Sequence, residues 1–139
     1  MSETNRGVHQ PIEDAPSLDD LTACMWPEDV YEHPEWYTFG LDEEWGREAV
    51  RIVKMTRSKP DALITIFRAL PPGAERTILT GDWVAIAEGY ARQHAMQSDD
   101  VGEDWPVIKA QVPAHTIRNG GSDLNEWGYW GPPTEATLA

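Results

Sequence analysis

The clearest spacing of apolar positions lies in "LDEEWGREAVRIVKMTRS", where Trp45, Ala49, Ile52 and Val53 recur at i, i+4, i+7 and i+8. It predicts a helix from about residue 42 to 57, with Asp42 to Glu44 at its positive end and Arg57 near the other. Beyond a proline turn the period changes. In "ALITIFRAL" β-branched and aromatic residues alternate with others, which predicts a central strand terminated by Pro71, Pro72 and Gly73. "LTGDWVAIAEGYARQHAM" predicts a turn at Gly81 and Asp82, a short strand from Trp83 to Ile86, and a helix from about Glu88 to Met96. "WPVIKAQVPAHTIR" predicts a strand over about 106–112 and a further one around 114–118, "NGGSD" a turn or loop, and "LNEWGYW" the last strand.

The first third is less regular. Residues 1–16 are polar and contain proline, and read as a flexible acidic arm. Ser17, with Asp20 three positions on, predicts the cap of a short helix. In "WPEDVYEHPEWY", Pro27 suits the first turn of a helix and Pro34 its stop. Trp26, Tyr31, Trp36 and Tyr37 read as packing rings that clamp this segment to the body. The pattern as a whole predicts a single α+β domain over 17–139, with a helical part at 17–58 and a mixed β core at 62–131.

With 139 residues, a second catalytic domain does not fit. The formal charge of −13 argues against binding nucleic acid through its phosphates, which needs clustered Lys and Arg. The charge is uneven: Met1 to Glu48 hold thirteen acids against two Arg, and the remainder eleven acids against nine bases. A basic partner, or imitation of nucleic acid, fits that surface. A single cysteine, Cys24, makes no internal disulfide and reads as a small buried apolar group. No basic leader followed by an apolar run opens the sequence, and no stretch reaches membrane-spanning length, so the expectation is a soluble cytoplasmic protein.

Two residues stand out from their surroundings. Arg68 lies in an apolar strand; if it shares a face with Ile64 and Ile66, its guanidinium needs an anion, from an internal carboxylate or a ligand phosphate. Glu126 sits among amide, indole and glycine in "NEWGYW". It reads either as an edge-strand carboxylate, or partner of Arg68, or as the floor of a cleft. The four histidines, His9, His33, His94 and His115, lack metal-ligand spacing, so no metal site is expected. "NGGS" at 119–122 does not open a helix and is no phosphate loop.

The series "ITIFRALPPG", "GDWVAIAEGYARQHA", "VIKAQVPAH" and "DLNEWGY" resembles the compact ADP-ribosyltransferase domains of phage and polyvalent proteins, over about residues 63–130. The resemblance implies an ADP-ribosyltransferase-like fold: two small, mainly antiparallel sheets around an NAD cleft, with flanking helices. It implies NAD as substrate, Arg68, with Ala69 beside it, as the NAD-anchoring position, and Glu126 as the catalytic residue. Trp83 and Tyr90 are the first candidates to flank the nicotinamide, ahead of Trp127 and Tyr129. Ala85 and Ala87 stand where related domains carry Ser or Thr, a loss of hydroxyl hydrogen bonds that implies weak turnover, altered chemistry or a binding domain without catalysis. Leu124 stands where arginine-modifying relatives carry Glu or Gln. The activity implied is transfer of ADP-ribose to a macromolecular acceptor, such as a host protein if the chain is a phage effector. The rival expectations are a binding protein without turnover and an acidic decoy for a nucleic-acid-binding protein.

Overall fold

The computed structural model describes residues 14–23, 26–119 and 123–139. Residues 1–13, Cys24, Met25 and 120–122 lie outside the described residues, and with them the expectations for most of the arm, His9, Cys24 and most of the "NGGS" loop.

The helix expected from the 3.6-residue period is α1, Glu44–Thr56, and it buries Gly46, Ala49, Ile52, Val53 and Thr56. Thr56 can be buried because its hydroxyl donates to the Ile52 carbonyl at 2.9 Å. The alternating segment is strand β1, Leu63–Ala69. The chain continues through β2, Thr77–Ile78, and β3, Trp83–Ala85, into α2, Glu88–Ala95. Then follow β4, Val107–Pro113, β5, Ile117–Arg118, β6, Glu126–Tyr129, β7, Thr134–Glu135, and β8, Thr137–Leu138.

Six strands form one antiparallel sheet in the order β5-β6-β3-β1-β4-β8, and β2 and β7 pair separately. The fold is α+β, but its sheets are unequal: one main sheet and a two-stranded ribbon, where two small sheets were expected. "LNEWGYW" does not hold the last strand, because β7 and β8 follow it. Strands of two residues are too short to show alternation, and only pairing with distant partners defines them. The segment at 114–118 is likewise divided, into a 3-10 turn over Ala114–Thr116 and the short β5.

Register assigns the two faces of the main sheet. Ile64, Ile66, Val84, Ile108, Val112, Trp127 and Tyr129 point into the principal core with Ala49 and Val53 of α1. Phe67, Ala69, Ala85 and Val107 point the other way and pack with Ala91 and Ala95 of α2. The sheet is thus covered on one side by α1 and the N-terminal turns, and on the other partly by α2.

The N-terminal region folds as 3-10 turns, Leu18–Ala23, Glu28–Val30 and Pro34–Tyr37, and Pro34 opens the third turn where it was expected to stop a helix. Ser17 bonds the Asp19 carboxylate at 2.7 Å, and its backbone bridges Arg118. The end of the expected arm is built into the fold: Ala15 is buried, and the Pro16 carbonyl accepts from Asn119 N–H. Trp26 and Tyr31 are buried as expected; burial pushes the Tyr31 phenol up to about 12, and its hydroxyl bonds Leu18 and Leu21 backbone. Trp36 departs from the expectation and is 63% exposed. Among the described residues no helix is long and apolar enough to cross a membrane.

Ile66 is fully buried in the principal core while Leu63, on the same strand, is 64% exposed. Ile66→Ala is expected to lose about 2–5 kcal/mol in urea unfolding, and Leu63→Ala to stay within about 0.5 kcal/mol of wild type.

Candidate functional site

Glu126 opens β6 opposite Ala85 of β3, and Ala85 in turn lies opposite Phe67 of β1. Directly opposed residues share a face, so Glu126 projects on the α2 side of the sheet. Its neighbours there come from α2. Tyr90 donates its hydroxyl to Glu126 Oε2 at 2.6 Å, and His94 Nε2 lies 3.7 Å from the same oxygen. Tyr90 and His94 are one helical turn apart, which brings both to one carboxylate, and their rings meet edge to face at 4.7 Å. Burial, reinforced by the Glu126 carboxylate, raises the Tyr90 phenol well above its ordinary range. The phenol therefore keeps its proton and remains a donor.

Trp45 of α1 packs against the Tyr90 ring, with centroids 5.2 Å apart. Its indole is held between two glycines. A Cβ on Gly40 would come within 2.3 Å of the ring, and one on Gly89 within 3.0 Å. Gly40 also has φ +80, so both its conformation and its contact favour glycine.

The loop ahead of β6 is fixed by amides and a carboxylate. Asn119 Nδ2 donates to the Asp123 carbonyl at 2.7 Å and the Glu126 carbonyl at 2.9 Å. Asn125, buried, donates from Nδ2 to Asp123 Oδ1 and to the Phe39 carbonyl, each at 3.0 Å. The Phe39 N–H points back to Asp123 Oδ1 at 3.5 Å. The loop bearing Glu126 is thereby tied to the chain entering α1.

Arg68 is placed elsewhere. It is opposite Ile108 and adjacent in sequence to Phe67, so it leaves β1 on the principal-core face, opposite to Glu126. Its Nε lies 3.5 Å from Asp82 Oδ2, and its Nη1 donates to the Trp83 carbonyl at 3.1 Å. Asp82, 2% exposed, also accepts from the Leu79 N–H at 2.8 Å. The anion that Arg68 needs is therefore an internal carboxylate, Asp82 and not Glu126, and together they brace the turn before β3.

The other candidates divide between the two faces. Trp83, 37% exposed, and Ala85 share the Glu126 face with Ala69 and Phe67. Ala87 is buried at the N-cap of α2, where its methyl supplies no capping bond; the hydroxyl expected there would be suited to that role. Trp127 and Tyr129 are core rings. Leu124 is fully buried. Arg68 and Glu126 leave the main sheet on opposite faces, where one shared cleft was expected. Two surface hollows, of about 480 Å³ beside Glu28, Asp29 and Arg57 and about 230 Å³ beside Thr65, Lys109 and Gln111, include neither residue.

His94 and Trp45 were not singled out for this site from the sequence. The i, i+4 pairing of Tyr90 with His94 carried a signal for the first; nothing local carried one for the second. Among the described residues no group of three or more His, Cys, Asp or Glu side chains is placed to hold a metal ion. Comparison with protein-family models, curated proteins and solved structures gives no match.

Arg68→Met leaves Asp82 without its guanidinium in a buried turn, and is expected to cost on the order of 3 kcal/mol in urea unfolding. An unchanged unfolding midpoint would show that the Arg68–Asp82 pair carries no structural burden.

Asp123 gives a pH signature. Burial raises its carboxyl above the ordinary 3.8, against the hydrogen bonds from Asn125 and Phe39. A raised carboxyl binds its proton more tightly when folded; its contribution is complete below the unfolded value and is lost as pH rises through the folded one. The stability of wild type relative to Asp123→Asn is expected to fall as pH increases above 3.8. A series of urea titrations checks this, and a wild type that gains stability relative to Asp123→Asn as pH rises in that range contradicts it.

Proposed function

We propose that this chain is a mono-ADP-ribosyltransferase, with Glu126 as its catalytic carboxylate, which breaks the nicotinamide–ribose bond of NAD and transfers ADP-ribose to a macromolecular acceptor. One observation carries the reading: the Glu126 side chain is 39% exposed yet held in orientation by a 2.6 Å hydrogen bond from Tyr90. Its support from sequence is the order of motifs over residues 63–130, which ends on this glutamate.

A single oriented carboxylate suits this chemistry. Glycoside hydrolysis commonly needs an acid for a poor leaving oxygen and a second carboxylate for the sugar. The nicotinamide of NAD is already cationic: the electron pair of the breaking C1′–N bond returns to its ring and it departs neutral. Positive charge then grows on the ribose, and a carboxylate accepting a hydrogen bond from the ribose 2′-hydroxyl stabilises it. The acceptor's lone pair closes the new bond to C1′, and its proton passes to solvent. In this reading Trp83 and Tyr90 are the rings offered to the nicotinamide, on the same face as Glu126. Arg68 serves through the Asp82 turn that sets β3, not through the face that bears Glu126. The resemblance to phage domains makes a host component the expected acceptor.

A second reading, a binding protein on the same scaffold without turnover, is favoured by the separation of Arg68 from Glu126 and by the methyl groups at Ala85 and Ala87. Labelled NAD incubated with cell extract separates the two. The transferase reading expects label on a macromolecule, reduced by about 10²–10³ in Glu126→Gln and by about tenfold in Tyr90→Phe, which removes one hydrogen bond to a charged group. If no label is transferred by the wild type, while a host effect survives Glu126→Gln, the binding reading stands instead.

A further inference from the structure

The segment "EWYTFGLDEE", residues 35–44, leads into α1 and exposes three large apolar side chains: Trp36 at 63%, Phe39 at 72% and Leu41 at 38%. Single exposed apolar residues are ordinary, but three within six positions of one segment concentrate apolar surface there. The chain allows at most about 11 Å between the Trp36 and Phe39 Cα atoms and about 8 Å between those of Phe39 and Leu41.

The patch is held in place. Trp36 stacks on His33 at 4.0 Å with an interplanar angle of 9°. The Phe39 backbone is tied by Asn125 and Asp123, Gly40 lies against the Trp45 ring, and the Leu41 carbonyl accepts from Arg47 Nη1 at 2.9 Å. Through Trp45 and Tyr90 the same supports lead to Glu126. The Phe39 backbone is thus tied to the loop that carries Glu126.

Its surroundings are predominantly acidic, with Arg47 at the Leu41 carbonyl as the exception. Asp42, Glu43 and Glu44 are exposed directly after Leu41, and Glu32 and Glu35 precede Phe39. From Glu32 to Arg47 there are five acids against one base, Arg47. An apolar patch with an acidic margin complements a protein segment in which Arg or Lys alternates with large apolar residues, and repels nucleic acid.

We propose that Trp36, Phe39 and Leu41, with Asp42 to Glu44, form a docking surface for a basic, apolar segment of a partner protein, and that this surface presents the acceptor to Glu126. The acceptor role rests on the transferase reading; the docking itself does not.

The probe is a short fluorescein-labelled peptide of alternating Arg and Leu, followed by anisotropy against the full-length protein, with a Glu–Leu peptide as control. The Arg–Leu peptide is expected to bind and the Glu–Leu peptide not to bind. Trp36→Ser with Phe39→Ser is expected to weaken binding at least about tenfold, with an unchanged circular dichroism spectrum. Asp42→Asn with Glu43→Gln and Glu44→Gln is expected to weaken it and reduce its dependence on salt. Peptide binding by the wild type without NAD turnover would fail the transferase reading alone. Equal affinity for both peptides, or affinity indifferent to both sets of substitutions, overturns the docking proposal. So does self-association abolished by Phe39→Ser, which assigns the patch to a second copy, or displacement of the probe by a peptide of residues 1–13, which assigns it to the chain's own N-terminal segment.

Discussion

The antiparallel register across β1, β3 and β6 governs the arrangement of this protein. Phe67 lies opposite Ala85, and Ala85 opposite Glu126. Because side chains alternate, Ile66, Val84 and Trp127 then enter the principal core while Glu126 meets α2. A slip of β6 by one residue would put Trp127 in place of Glu126 and bury a carboxylate among Ile and Val. The complete burial of Trp127 therefore fixes the exposure of its neighbour Glu126. The same alternation sends Arg68 away from Glu126, where Asp82 receives it.

On the α2 side, the orientation of Glu126 rests on Tyr90, and that of Tyr90 on Trp45. Trp45 belongs to α1, which is otherwise devoted to the opposite side of the sheet through Ala49 and Val53. The first turn of α1 therefore joins the two layers. Gly40 and Gly89 make room for the indole, and Asn125 ties the Phe39 backbone to the loop before β6. Phe39, Gly40 and Trp45, in the acidic first third of the chain, are thus part of the framework around the candidate site.

The long elements were legible because each carries its own period. Trp45, Ala49, Ile52 and Val53 marked α1; the alternation of "LITIFRA" marked β1; the "GDWV" turn and following polar run marked β3 and α2. Helical turns after Ser17 and Pro27 were legible from those residues, but their 3-10 form, the turn begun by Pro34 and the two-residue strands were not, since they hold too few residues to complete a pattern. The burial expected of Trp36 failed for a related reason: a ring in an irregular segment has no period to place it, and the turn that buries Pro34 turns Trp36 outward.

At the site, the sequence by itself determined that Glu126 and Trp127 must occupy opposite faces of a strand, that an arginine within an apolar strand needs an anion, and that Tyr90 follows β3 on a helix. Tertiary structure alone decided that the anion is Asp82, that Tyr90 and His94 converge on Glu126, and that Trp45 supports them from another layer. The physical reason is that alternation fixes which residues share a face within one segment, whereas which segments become neighbours, and in what register, is set by the joint burial of side chains far apart in the chain.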